Sequence, residues 1–182
     1  MKETWLRPNQ RILGLQLALS GLGCLATLVV AIWIGQGDRS TVVKLLSWLP
    51  FLAMAWLVVG LVRALTTPRL QLVDDKLGVH FAAGQSYRIP IDVVECFFLG
   101  QGPTGSLPAA IRGAEASSVV VRLSERAEDW HRRPVSPQWG HWCDGYVTLR
   151  GTWCEPISLA RVNELNHRLA TVKREQRERR RG

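Results

Sequence analysis

Two apolar runs near the start of the chain, Ile12–Ile34 and Leu45–Leu65, limit its possible folds more than any other feature. Each exceeds 20 residues and contains no acidic side chain. A helix rises about 1.5 Å per residue, so either run can cross a hydrocarbon core of roughly 30 Å. The Gly35–Lys44 stretch between them is too short to hold a domain. The expected organisation is an N-terminal segment and two-span hairpin over residues 1–68, with spans at 12–34 and 45–65. One soluble domain follows at 69–172, long enough for a single core, and a tail at 173–182 ends the chain.

A cleavable signal is the competing reading of the first run. Signal peptides carry an apolar region of about 7–15 residues that ends at a small-x-small site. Ile12–Ile34 is longer and leaves through Trp33-Ile34-Gly35-Gln36, which offers no such site. Both runs are therefore expected to stay in the protein. Lysines and arginines in the short flanks set orientation. Lys2, Arg7 and Arg11 precede the first span and Arg63, Arg69 and Lys76 attend the end of the second, against Arg39 and Lys44 in the loop. Both termini are expected in the cytoplasm. Trp33 and Trp48 fall at the loop end, and Trp5 is expected to anchor the opposite headgroup zone. Gly23, Thr27 and Ala31, and again Gly60 and Ala64, recur every four residues, a spacing that lets helix backbones approach in lipid. Two spans without buried charge offer no transport pathway unless the protein oligomerises.

The formal net charge of +8 invites a nucleic-acid reading until it is located. Residues 69–172 hold eleven basic and eleven acidic side chains, so the domain has no overall excess. The surplus lies in residues 1–68 and in the tail, where Lys173, Arg174, Arg177, Arg179, Arg180 and Arg181 face only Glu175 and Glu178. A basic tail near a bilayer gains about 1 kcal/mol per Lys or Arg held at an anionic surface. Lipid headgroups are thus a better-matched partner than nucleic acid, beside a plain solvated helix end. Cys24, Cys96, Cys143 and Cys154 form no C-x-x-C pair and no disulfide framework, which favours a reducing, cytoplasmic setting.

After Pro68 the apolar pattern takes on a strand period. Strands are expected at Arg69–Val73, Leu77–Ala82, Tyr87–Pro90, Ile91–Leu99, Val119–Leu123, Tyr146–Leu149 and Thr152–Cys154. Turns fall at Asp74-Asp75-Lys76, Ala83-Gly84-Gln85 and Arg150-Gly151, and long loops at Gly100–Ser118 and Glu125–Asp144. A closing helix carries Leu159, Val162, Leu165, Leu169 and Val172 on one stripe, with Ser158 as N-cap.

Seven short strands and one amphipathic helix follow the order of the pleckstrin-homology (PH) superfold. The turn and strand Val73-Asp74-Asp75-Lys76-Leu77-Gly78-Val79 and the run Tyr87-Arg88-Ile89-Pro90-Ile91-Asp92-Val93-Val94 carry the likeness. On these residues the chain resembles bacterial membrane proteins with a PH-like domain behind a two-span hairpin. The resemblance implies an α+β domain, a seven-stranded antiparallel barrel or sandwich capped by a helix. It also implies a multi-pass protein of the bacterial inner membrane whose domain is a scaffold or interaction module, without cofactor. Members that bind phosphoinositides set several cations around the first hairpin, whereas Asp74-Asp75-Lys76 is acidic on balance.

The segment Trp130-His131-Arg132-Arg133 through Trp139-Gly140-His141-Trp142-Cys143 is the most unusual. Trp130, Arg132, Arg133, Trp139 and Trp142 could meet a partner or the membrane interface, as aromatic and Arg anchors do. The competing reading, common for long insertions, is that they fold back over an open sheet edge. His131, His141, Cys143 and Cys154 could be drawn as a metal or redox centre, but the only local spacing is His-x-Cys. A Cys/His nucleophile lacks an elbow and an orienting acid. Glu125, Glu128 and Asp129 read as a solvated face, and Gly100-Gln101-Gly102 with Gly105 is no phosphate loop. The function expected is non-enzymatic: a membrane-held module that binds another protein or assists assembly. An anionic-lipid sensor and a membrane-bound metal or redox subunit using His131, His141 and Cys143 are the alternatives.

Overall fold

The computed structural model describes every residue except Met1, Asp38, Arg39, Ala83, 103–115, Gln138 and Gly182. Most of the expected Gly100–Ser118 loop, with Gly105, lies outside the described residues, as do Arg39 and the Ala83 position of the second turn. The chain divides into two units, Gln10–Thr66 and the pair of segments Met1–Asn9 and Thr67–Gly182.

The first unit is two helices, α1 (Gln10–Gln36) and α2 (Thr41–Thr66), packed on each other. Ala31 is fully buried between them, and a Cβ at Gly23 would come within 2.5 Å of the Met54 methyl group. Gly23 therefore permits a close approach, as its spacing suggests. Gly60 instead opens onto empty space and takes no part. α2 continues through Pro50. Only 6% and 0% of the apolar windows of α1 and α2 are buried. Most of their apolar surface is exposed: Leu15, Leu22, Leu45, Leu52 and Trp56 point outward. By length and composition both helices are able to cross a membrane.

The second unit is two four-stranded antiparallel sheets and a helix. The first sheet runs in chain order: β1 (Lys2–Leu6), β2 (Leu70–Val73), β3 (Lys76–Ala82) and β4 (Gln85–Pro90). A single 3₁₀ turn over Ile91–Val93 leads into the second sheet. There β5 (Val94–Gly102), β6 (Ala116–Leu123), β7 (Gly140–Cys143) and β8 (Tyr146–Leu149) lie in the order β5-β6-β8-β7. The described strands form two sheets and no closed barrel.

β1 was not expected. Its Lys2, Glu3 and Thr4 pair with Val73, Leu72 and Gln71, so the first strand lies before α1 and its partner after α2. Trp5 is fully buried against Phe97, ring centroids 6.0 Å apart. This overturns its expected place at a membrane interface. Arg69 is also buried, donating to the carbonyls of Phe81 (2.7 Å) and Trp153 (3.1 Å), and so is no free flanking charge.

Two turns fix the hairpins. Asp74 and Asp75 take φ of 46° and 62°, and Asp144 and Gly145 take 50° and 78°. Two consecutive positive φ values match the right-handed twist of the strands they join, and Asp and Gly tolerate them best. The closing hairpin therefore turns at Asp144-Gly145, not at Arg150-Gly151. Gly151–Trp153 forms a 3₁₀ turn where a strand was expected, and 140–143 is a strand inside the expected loop.

Leu70, Leu77, Val79, Ile89, Val119 and Val121 alternate inward from both sheets to form the core. Helix α3 (Leu159–Arg181) lies across one opening between the sheets. Ser158 Oγ caps it by accepting from Arg161 N–H at 3.2 Å. Val162, Leu165 and Leu169 are buried, and the buried face runs on to Gln176. Leu159 is exposed because it lies about 90–100° round the helix from the centre of that face.

Candidate functional site

The tryptophan-rich segment packs beside β4 and β7. Trp142 points inward from β7 and is only 5% exposed. Its indole N–H donates to the Trp130 carbonyl at 2.7 Å, and the two rings stack at 6.1 Å. Tyr87 meets Trp142 edge-on at 5.0 Å, and its hydroxyl donates to the Pro134 carbonyl at 2.7 Å. Trp139 packs on Trp153 at 4.4 Å, with the Arg69 guanidinium 5.6 Å from its ring. The aromatic side chains thus hold the segment to the sandwich, and replacing a core indole by alanine costs about 3–5 kcal/mol. Arg132 and Arg133 remain outside: Arg132 pairs with Asp144 at 3.2 Å, and Arg133 lies 5.1 Å over Trp130.

The proposed His and Cys ligands sit in separate environments. His131 bonds the Glu125 carbonyl at 3.1 Å, and His141 is exposed on β7. A hydrogen bond to Asp144, then desolvation, raises the Cys143 thiol above its ordinary range. Burial pushes Cys154 up to about 12. Among the described residues no three His, Cys, Asp or Glu side chains converge on one point. Both thiols are held protonated at neutral pH, the unreactive form.

Helix α3 shows a division that charge counting missed. Arg161 pairs with Glu155 (2.7 Å) and Glu164, and it donates to the Trp5 carbonyl at 2.9 Å. Arg168 pairs with Glu3 (3.0 Å) and Glu164 (2.6 Å). Farther along, Arg179 lies 3.8 Å from Asp75, and Arg180 bonds Asp92. The helix is continuous to Arg181, so the basic tail is not a separate projecting piece. On the flank facing β5, Asn166 accepts from Phe97 N–H (2.8 Å) and donates to the Phe97 carbonyl (2.9 Å). Its amide substitutes for a neighbouring strand and closes that part of the β5 edge. Beyond it, Lys173, Arg174 and Arg177 line a groove of about 550 Å³ with Glu95 and Cys96. Desolvation by burial lowers the Lys173 ammonium below its ordinary range, although Asp92 and Glu95 act the other way.

On the outer face of the first sheet, Gln71 Nε2 donates to His80 Nε2 at 2.6 Å, a bond that requires the neutral ring. Burial, then the charges of Arg69, Lys2 and Arg88, lowers the His80 pKa and favours that form. Lys2 and His80 lie far apart in sequence, and only the β1 pairing brings them together. Comparison of the chain with family models, with curated proteins and with solved structures finds no significant match.

Proposed function

We propose that this chain is a multi-pass membrane protein, with both termini in the cytoplasm and its α1–α2 hairpin in the bilayer of a bacterial inner membrane. The pairing of β1 with β2 carries this reading. Adjacent hydrogen-bonded strands must lie on one side of a membrane, and the segment between them is two apolar helices. The helices therefore cross together or not at all. The same pairing argues against removal of α1 as a signal, because Trp5 and Leu6 before it belong to the core of the domain. Arg7 and Arg11 before α1 and Arg63 near the end of α2 favour a cytoplasmic domain by the positive-inside rule.

The domain works as a non-enzymatic, PH-like interaction or assembly module held next to the bilayer. Antiparallel strands in two sheets, closed by one amphipathic C-terminal helix, support that architecture. The protonated thiols of Cys143 and Cys154 support no nucleophile. Exposed Arg132 and Arg133, on a segment fixed by its own tryptophans, provide a rigid surface for a protein partner.

Labelling whole cells with a membrane-impermeant thiol reagent tests the topology, using Gly37→Cys and Arg181→Cys in a background without accessible native thiols. The expected result is labelling of Gly37→Cys from outside and of Arg181→Cys only after permeabilisation. Equal labelling of both without permeabilisation would overturn the reading.

A further inference from the structure

Apart from Arg181 at its end, the Lys and Arg residues of α3 fall into two sets. Arg161, Arg168, Arg179 and Arg180 each have a carboxylate partner within the domain. Lys173, Arg174 and Arg177 form no hydrogen bond or ion pair with any described residue, and together they line the groove between α3 and β5. The two acids that act on Lys173 are already engaged: Glu95 pairs with Arg122 at 3.0 Å, and Asp92 bonds Arg180. At 100° per residue, positions 173, 174 and 177 span one quadrant of the helix. That quadrant flanks the buried face of Val162, Leu165 and Leu169, with Lys173 one turn on from Leu169 at its edge.

Three cations held on a rigid helix, facing acids already shared with Arg122 and Arg180, make a site for a compact anion. Lys supplies a point charge, and Arg a planar fork of donors that suits phosphate oxygens. Lys173 is half-buried, so an anion seated there would relieve the cost of desolvating its ammonium. Asn166 lies at the inner end of the groove, with its polar atoms committed to Phe97, and marks the limit of the site. Tethering by the hairpin raises the effective concentration of bilayer headgroups around the domain far above that of a dissolved ligand.

We propose that the groove formed by Lys173, Arg174 and Arg177 beside β5 binds the headgroup phosphate of an anionic phospholipid. This inference uses the membrane reading only to choose the source of the phosphate. Its test reads the groove alone, so its failure would leave the hairpin reading standing.

The full chain in zwitterionic detergent is titrated with short-chain phosphatidylglycerol. Short-chain phosphatidylcholine, inorganic phosphate and an oligoglutamate peptide are the parallel arms. Phosphatidylglycerol should bind best, and more weakly as salt is raised. The triple variant Lys173→Gln/Arg174→Gln/Arg177→Gln should lose roughly 100-fold in affinity. Arg179→Gln/Arg180→Gln should bind within about twofold of the parent, since those charges are spent inside the domain. The charge-preserving variant Lys173→Arg/Arg174→Lys/Arg177→Lys should retain most binding, which separates lost charge from lost fold. Equal losses in the triple and double variants, or no binding by the parent, would overturn the site. Preference for free phosphate would overturn the lipid source, and preference for oligoglutamate would reassign the groove to an acidic protein segment.

Discussion

Some buried polar groups of this domain are met by backbone carbonyls or aromatic faces, whereas Trp5 Nε1 and Gln176 Oε1 have no hydrogen-bond partner among the described residues. Arg69 has no carboxylate partner among the described residues and relies on two carbonyls and the Trp139 ring. Its neighbour Cys154 titrates near 9 when unfolded and is pushed up to about 12 by burial. A raised folded pKa means that the unfolded state releases the proton first as pH rises. The stability tied to this thiol is therefore complete below about pH 9 and lost as pH climbs towards 12. Denaturant midpoints measured from pH 8 to 11 should fall more steeply for the parent than for Cys154→Ala. Parallel slopes would show that the thiol is not buried as described. At this scale the candidate residues were only half legible. For Trp142 the sequence allows either an anchor for a partner or a fold-back over a sheet edge. The structure shows the second, with Trp142 buried, and the contacts that bury it are not legible locally. That burial depends on Tyr87 and Phe81 of a distant hairpin, and single-sequence patterns do not encode such contacts.

Among the elements, the helix was read most directly, because a period of 3.6 residues over several turns is a long local signal. Ser158 caps it as expected, and three of the stripe residues, Val162, Leu165 and Leu169, are buried. What the pattern hid was the work of the polar flanks. Asn166 completes the β5 edge, while Arg161 and Arg168 reach carbonyls of β1, so α3 bridges the two sheets by hydrogen bonds as well as by packing. Asn166→Leu would leave the Phe97 N–H and carbonyl unpaired beneath the helix, at a cost of about 1–3 kcal/mol. Thermal unfolding should show that loss, and an unchanged midpoint would mean that water replaces the amide freely. The hairpin at Asp144-Gly145 was legible in principle, since an Asp-Gly pair between apolar alternations is a strong two-residue turn signal. The three nearby tryptophans drew the reading towards a loop. Thr152–Cys154 is too short to show a period, so its residues do not distinguish a strand from the 3₁₀ turn found there.

For the molecule as a whole, the sequence separated a lipid-like half from a water-like half but misplaced their boundary. The domain begins before the hairpin: Lys2–Leu6 is its first strand, and the partner strand starts at Leu70. Nothing local announces this, because the strand is short and its ladder closes over a long chain separation, which propensity cannot see. The consequence is mechanical. The proposed orientation, the retention of α1 and the proposed place of the domain beside a bilayer all depend on this one pairing. A disulfide between Thr4→Cys and Gln71→Cys tests it directly, since these positions are register partners. Facing Cα atoms in an antiparallel pair lie about 4.5–5.5 Å apart, within disulfide reach. In native membranes of cells carrying the full chain, with the native cysteines replaced, mild oxidation should cross-link this pair. The control pair Thr4→Cys/Ser86→Cys, placed on β1 and β4, should stay reduced. Failure of the 4–71 link, or equal linking of both pairs, would contradict a sheet built across the hairpin.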